Sequence, residues 1–412
     1  GSGTTGAALG DQIVLDCRTY MHKIIAVEND TAWVEPGVYL SELNQQVASQ
    51  NMVFGPDPGS KDYACMGGVV ANNAAGPHAL AYGMTRDHVK EIQCVLASGE
   101  VQSTHVLNEK FAALVEIIRQ SEHLIAATQI KVSKNSSGLY VEELLHSKPN
   151  FARILCGSEG RLALFAAIEV QLVKKPAKKT FAVFPFADRV VAAKAVPSIL
   201  ASSPVCIELI DDVIQNALIQ ADPNKASLLG LLQGGASLWV EWFEDVPKDG
   251  GMISYTQSEE TIAQHWAFRS KASKILHAMA SHRHPLRCIE DACVPVDVLP
   301  AYIEEVDALL TSYDCRGAIF GHIGNGHLHI NPWIDVTQSD LWSTIDQLMQ
   351  SFYAIVLKYG GTISGEHGDG YLRQNYVEKQ WGDRVKLFEQ VYQAFDPNNR
   401  FQRKKDPIFR TF

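Results

Sequence analysis

The chain has 412 residues, which at roughly 150 residues per domain suggests two or three domains, with length enough to bury a core and hold a cofactor between them. Hydrophobic residues make up 46% and charged residues 20%, an ordinary globular balance that excludes disorder, collagen-like repeats and coiled coil. The net charge of −10 gives no chain-wide attraction for polyanions, so nucleic acid and anionic membrane surfaces are poor main partners, and any bound anion has to be held locally.

In chain order, Ile13-Val14-Leu15 and Thr31-Ala32-Trp33-Val34 read as short β-rich runs, and Leu107, Phe111, Leu114, Val115 and Ile118 recur at the spacing of one helix. A basic connector broken by proline, Lys174 to Lys179, separates a glycine-rich domain over 1–178 from a more regular one over 179–412, whose last ~35 residues return to the first. In the second part Phe181 to Phe184 reads as a strand stopped by Pro185, because proline donates nothing to a ladder. Residues 188–201 then read as a helix, Cys206 to Leu209 and the alternating Leu238, Val240 and Trp242 as strands. A helix carrying Leu299, Tyr302, Ile303, Val306 and Leu310 precedes strands at Ile319-Phe320 and Leu328 to Ile330, followed by a helix with Ile345, Leu348, Phe352 and Val356. Two βαβ-like passes imply a helix-backed sheet.

Eight cysteines, at positions 17, 65, 94, 156, 206, 288, 293 and 315, form no CxxC pair, which argues against an iron–sulfur cluster, a Cys-type zinc site or a disulfide framework, and for a reduced, cytoplasmic setting. No stretch approaches the ~18 apolar residues of a membrane span. The opening Gly1-Ser2-Gly3-Thr4-Thr5 lacks Met and the features of a signal peptide, so the chain reads as a fragment or a processed product.

Two regions carry chemistry. Residues 55–76, GPDPGSKDYACMGGVVANNAAG, are rich in turn formers; glycines there let backbone N–H groups approach a diphosphate without lysines. Farther on lie Gly321-His322-Ile323-Gly324-Asn325-Gly326-His327-Leu328-His329 and Ser364-Gly365-Glu366-His367-Gly368-Asp369-Gly370. His327 and His329, two apart on a strand, share a face, and the glycine turn can bring His322 round to meet them. Imidazoles plus a carboxylate suit a divalent metal with open positions.

PDPGS, MGGVVANNAAG, YGMTRDHV and GSEG, together with GHIGNGHLH and GEHGDG, resemble in order the FAD-linked oxidases of the vanillyl-alcohol oxidase type, in the branch of D-lactate, glycolate and D-2-hydroxyglutarate dehydrogenases. The resemblance implies an α+β fold: FAD-binding lobes, the first incomplete because the chain begins inside the pyrophosphate loop, plus a ferredoxin-like antiparallel-sheet substrate (cap) domain. It implies FAD contacts from Gly3, Thr4, Thr5, Pro58, Gly59, Ser60, Gly67, Gly68, Asn72, Asn73, Gly76, Tyr82, Gly83, Ser158, Glu159, Gly160, Ile168 and Asn399. His322, His329 and Glu366 match metal ligands for zinc or manganese, and His367 matches the catalytic base. Arg269, Asn331 and Arg373 match substrate-binding positions. Asn325 stands where the family has Asp, and His327 where it has Asn, which either adds a ligand or fills space, the second being the favoured reading; Gln402-Arg403-Lys404 replaces the closing NPG. Cys288 to Pro295 resembles the family's EDVAVP strand without the lysine of some hydroxyglutarate enzymes.

The implied activity is oxidation of a small D-2-hydroxy acid to the 2-oxo acid by hydride transfer to flavin N5. Electrons would leave to a quinone, an electron-transfer flavoprotein or an iron–sulfur protein or domain; a homodimer and peripheral membrane attachment are left open. Two other readings are a noncatalytic flavin-binding or scaffold subunit of a multisubunit oxidase and a metal-dependent hydrolase. The second leaves the glycine-rich motifs unexplained.

Overall fold

The computed structural model describes residues 3–9, 13–228, 230–231, 233–246, 252, 254–278 and 280–401. Gly1, Ser2 and the Gln402-Arg403-Lys404 substitution lie outside the described residues. In the first half, strands β1 (Ile24–Glu28), β2 (Thr31–Val34), β3 (Val89–Val95), β4 (Val101–Ser103) and β5 (Leu164–Gln171) form an antiparallel sheet in the order β1-β2-β5-β3-β4. β2 alternates because only one face is covered: Ala32 and Val34 are buried, and Thr31 and Trp33 less so. Helices α1 (Leu40–Val47) and α2 (Met66–Ala71) pack Leu40, Leu43, Met66 and Val70 into the same core.

The second half holds β6 (Thr180–Phe186), α3 (Arg189–Leu200), β7 (Cys206–Ile210), α4 (Asp212–Ala221), β8 (Ala236–Trp242), β9 (Ser254–Thr256) and α5 (Glu259–Arg269). Every residue of β8 is buried, because helices cover both faces of the sheet. Leu238, Val240 and Trp242 meet α3 and the helix α6 (Leu299–Ser312), while Trp239 meets α4 and α5. Strands β10 (Arg283–Pro285), β11 (Ala292–Cys293), β12 (Arg316–Phe320) and β13 (His327–Asp335) make a second antiparallel group. Leu209 and Gly321 exchange backbone hydrogen bonds of 2.8 and 3.1 Å, so β7 and the end of β12 run side by side. Neighbouring pairings are antiparallel: β8 is inserted between β6 and β7, so these two strands, joined by α3, run parallel to each other without pairing, and the βαβ-like pass is a split one.

Three local expectations change. Ile13 to Leu15 is exposed and forms no strand. The 107–120 helix is two, Leu107–Lys110 and Ala112–Gln120, broken at Phe111. Pro185 stays inside β6, opposite Ser237, because it lies beyond the last β9 pairing and its missing N–H costs no ladder bond there among the described residues. The last helices, α7 (Leu341–Lys358), α8 (Gly370–Trp381) and α9 (Val385–Phe395), divide their loyalties: α7 packs in the second core, whereas Leu387, Phe388, Val391, Tyr392 and Phe395 of α9 complete the first.

Candidate active site

Gly321 and Gly326 make the histidine turn. Gly321 has φ 121° and Gly326 φ 72°, and a Cβ on Gly326 would sit 1.9 Å from the Val294 carbonyl oxygen. The chain therefore doubles back, and the two-residue period of β13 puts His327 and His329 on one face. Ring centroids are 5.4 Å apart for His322 and His327, 5.3 Å for His322 and His329, and 4.8 Å for His327 and His329. Glu366 joins them, and each of the four offers a ligand atom within 4.8 Å of the others.

Carboxylates behind the rings fix their tautomers. Glu208 of β7, brought alongside by the Leu209–Gly321 pairing, lies 2.7 Å from His322 Nδ1 through Oε2, so that nitrogen donates and Nε2 is left facing Glu366 Oε1 at 3.6 Å. Asp291 Oδ1 lies 3.0 Å from His327 Nε2, which leaves Nδ1 without a hydrogen bond, 3.7 Å from Glu366 Oε1. Carboxylate–imidazole pairs of this kind are what orient metal-ligating histidines. Burial, then the Lys134 ammonium, hold His322 well below its usual range, and burial lowers His327, so both are neutral lone-pair donors. The donor set thus fits a divalent ion of the zinc class.

Asp291 also builds the Glu366–His367 loop. Its backbone is left-handed, at φ 83°, and its carboxylate accepts from the backbone N–H of Glu366 at 3.0 Å and of His367 at 2.9 Å, and from Ser364 Oγ at 2.7 Å. Burial would raise the Asp291 carboxyl, but His367, His327 and Arg373 outweigh it and hold it well below the usual range. Glu290 accepts from His367 Nδ1 at 2.7 Å, leaving Nε2 as the nitrogen a substrate meets. Burial disfavours the charged His367 ring, yet Asp291 and Glu290 prevail and raise its pKa to about 9. Lys134, fully buried, donates to Glu366 Oε1 at 2.6 Å and to the Gly76 carbonyl at 3.0 Å.

Both halves line one cleft of about 560 Å3. Of the expected cofactor residues Gly3, Thr4, Pro58, Gly59, Ser60, Gly68 and Asn72 line it, and His322, His329, Glu366, His367, Arg269 and Asn331 form the opposite part. The loops touch directly: Thr4 Oγ1 donates to Glu290 at 3.3 Å, and Thr5 Oγ1 to the His367 carbonyl at 3.3 Å. A Cβ built on Gly59 or Gly68 would meet nothing within 4 Å; bare backbone facing open space is what a flat diphosphate-bearing cofactor requires, so the residues fit FAD.

Other expected residues do not line that cleft. Gly67 packs on Pro36, Gly76 on the Asp57 carbonyl, and Asn73 is buried, its Oδ1 accepting from the Arg86 N–H at 2.9 Å. Tyr82 lies tilted against Phe243, ring centroids 5.6 Å apart, and Gly83 turns at φ 66°. Ser158 is buried, Glu159 accepts from the Gly370 N–H at 2.8 Å, Gly160 turns at φ 75°, Ile168 is in the first core, and Asn399 is exposed. Arg373 is fully buried, donating to the Gly368 and Glu290 carbonyls, so it holds the loop from behind and does not reach the cleft. Arg269 lines the cleft while directing Nε and Nη2 to Glu208, which thereby ties it to His322.

Sequence reasoning passed over Glu208, Lys134, Arg287 and the loop-building role of Asp291. A signal existed for Glu208, the lone charge in the apolar run Cys206 to Ile210. None marked Lys134 or Arg287, which lines the cleft beside Arg269.

Residues 175–405 match the family of FAD linked oxidases, C-terminal domain, and residues 1–105 match an FAD binding domain. The chain is 26% identical to D-2-hydroxyglutarate dehydrogenase of Pseudomonas putida over 97% of its own length, and spans 44%, less than half, of that relative. It is 28% identical to glycolate oxidase subunit GlcD of Bacillus subtilis (92% of this chain, 76% of that protein) and 26% identical to D-lactate dehydrogenase of Anaerostipes hadrus (92% and 77%). Alkyldihydroxyacetonephosphate synthase shares the fold, with a TM-score of 0.59 at 14% identity over 95% of this chain and 68% of its own. With more than half of its residues inside the C-terminal domain match, the chain belongs to the FAD-linked oxidase family.

Proposed function

We propose that this chain oxidises a small D-2-hydroxy acid to the 2-oxo acid as an FAD-dependent dehydrogenase, assisted by a divalent metal. The observation that carries the reading is the single cleft in which the open glycine backbone of one half faces His322, His329, Glu366, His367 and Arg269 of the other. The names of the relatives, dehydrogenases or oxidase subunits for D-2-hydroxyglutarate, glycolate and D-lactate, support the substrate class.

FAD, when bound, supplies a two-electron acceptor for C–H oxidation, and the metal, when bound, supplies a Lewis acid that lowers a hydroxyl pKa. Gly3, Thr4, Gly59, Ser60, Gly68 and Asn72 would hold the first; His322, His329 and Glu366 the second. Arg287, and Arg269 through the N–H groups that face away from Glu208, supply guanidinium donors for the planar substrate carboxylate. Asn331 lines the same wall. In its neutral form, the minority near neutral pH given a pKa raised to about 9, His367 Nε2 takes the hydroxyl proton, and Glu290 on Nδ1 stabilises the imidazolium that results. The electron acceptor is a quinone, an electron-transfer flavoprotein or an iron–sulfur protein or domain.

The test is dye reduction by FAD-loaded protein with D- and L-lactate, glycolate and D-2-hydroxyglutarate, before and after chelation. D-selective, chelator-sensitive turnover is expected. Flavin binding with no turnover of any 2-hydroxy acid refutes the activity, and full activity in His367→Ala refutes the base.

A further inference from the structure

We propose that His327 is itself a metal ligand, so that three imidazoles and one carboxylate hold the ion and the ring does not merely fill space. The proposal rests on the metal-assisted reading of the site above and specifies its coordination, four protein ligands with a fifth position left for the substrate hydroxyl.

An unpartnered buried acceptor costs about 1–3 kcal/mol, so a space-filling imidazole in a buried polar cluster gains by satisfying both ring nitrogens. His327 satisfies one. Asp291 Oδ1 at 3.0 Å accepts from Nε2, and three other donors hold that carboxylate in place, so it fixes the ring with Nε2 turned toward Asp291. Nδ1 is left buried and without a hydrogen bond, its lone pair facing Glu366 Oε1 at 3.7 Å. That separation is too long for a hydrogen bond. It is close to the edge of a tetrahedron: two ligand atoms bound to one zinc at ~2.1 Å stand about 3.4 Å apart. His322 Nε2 makes the same approach to the same oxygen, at 3.6 Å, with its other nitrogen held by Glu208 in the same way. Two rings with one geometry, each locked from behind by a carboxylate, point to one role. Glu366 Oε1 keeps lone pairs enough for Lys134 and an ion together. A set of three nitrogens and one oxygen favours zinc-class ions over manganese, magnesium or calcium.

The experiment uses FAD-loaded protein stripped with chelator and titrated with Zn2+. X-ray absorption at the zinc edge of the wild-type protein is expected to count three imidazoles. The Zn2+ dissociation constant of His327→Asn is expected to rise at least tenfold, since loss of even an outer partner costs about 10–100-fold, while the surface control His105→Asn is unchanged. Zinc held through two imidazoles, or by His327→Asn with wild-type affinity, overturns the proposal and leaves the metal-assisted reading standing. Absence of stoichiometric zinc in the wild-type protein overturns both. Should His327→Asn fail to fold, the imidazole count in the wild type decides.

Discussion

His78 joins the two halves and gives the molecule an alkaline limit. Its Nδ1 lies 2.6 Å from Asp57 Oδ2, in the turn just before Pro58 and Gly59, and its Nε2 lies 3.1 Å from Glu241 Oε1 on β8. Lys179 and Trp266 also reach Glu241, at 3.1 and 3.0 Å. Burial opposes a charge on His78, but Asp57 and Glu241 overcome it and raise its pKa from 6.5 to about 10. At ~1.4 kcal/mol per unit, that shift is worth about 5 kcal/mol in the acid limit. A raised pKa contributes fully below the unfolded value and is lost as pH climbs through the folded one. The contribution is therefore about 4 kcal/mol near pH 6.5 and about 1.5 kcal/mol near pH 9. Melting temperatures of the wild type and His78→Gln at those two pH values measure it. The wild type should lose ~5 °C or more that the variant does not, at about 2–4 °C per kcal/mol, and the variant should start about 3 kcal/mol less stable because the partly buried Asp57 and the buried Glu241 lose the cation they share, Glu241 keeping only Lys179 and Trp266. Parallel losses in both proteins would refute the reasoning.

Three further outcomes follow from single contacts. Gly68→Ala adds a methyl to open space, so stability should stay within ~0.5 kcal/mol while FAD affinity, read by fluorescence titration, falls about tenfold, equivalent to ~1.4 kcal/mol; unchanged affinity removes Gly68 from the cofactor wall. Gly326→Ala meets both a positive φ and the Val294 carbonyl, and should cost about 3 kcal/mol or more in denaturant unfolding; a loss under ~0.5 kcal/mol would mean the turn is not built as described. Arg373→Met strands Glu290 and Asp291 and should destabilise by about 3–5 kcal/mol, whereas a stable variant with only a raised KM would make Arg373 a substrate contact after all.

The parts legible in sequence were those where neighbours along the chain decide the outcome. Residue spacing alone marks Leu299–Ser312 and Leu341–Lys358 as helices, and the His327/His329 pairing follows from strand period. What required the tertiary fold was each charge whose partner is remote. Lys134 meets Glu366 across 232 positions, Glu208 meets His322 across 114, and His78 meets Glu241 across 163. No local pattern encodes those meetings. Arg373 shows the converse: proximity in sequence to the Glu366–His367 loop suggested a substrate contact, yet the first turn of α8 directs it inward behind that loop.

α9 returns to finish a core begun more than three hundred positions earlier, stacking Phe395 on Phe111 at 4.3 Å. During synthesis the amino-terminal half thus emerges with an apolar gap that only the closing helix can plug. It waits on the ribosome until α9 has been made, as a species that exposes greasy surface and invites a chaperone.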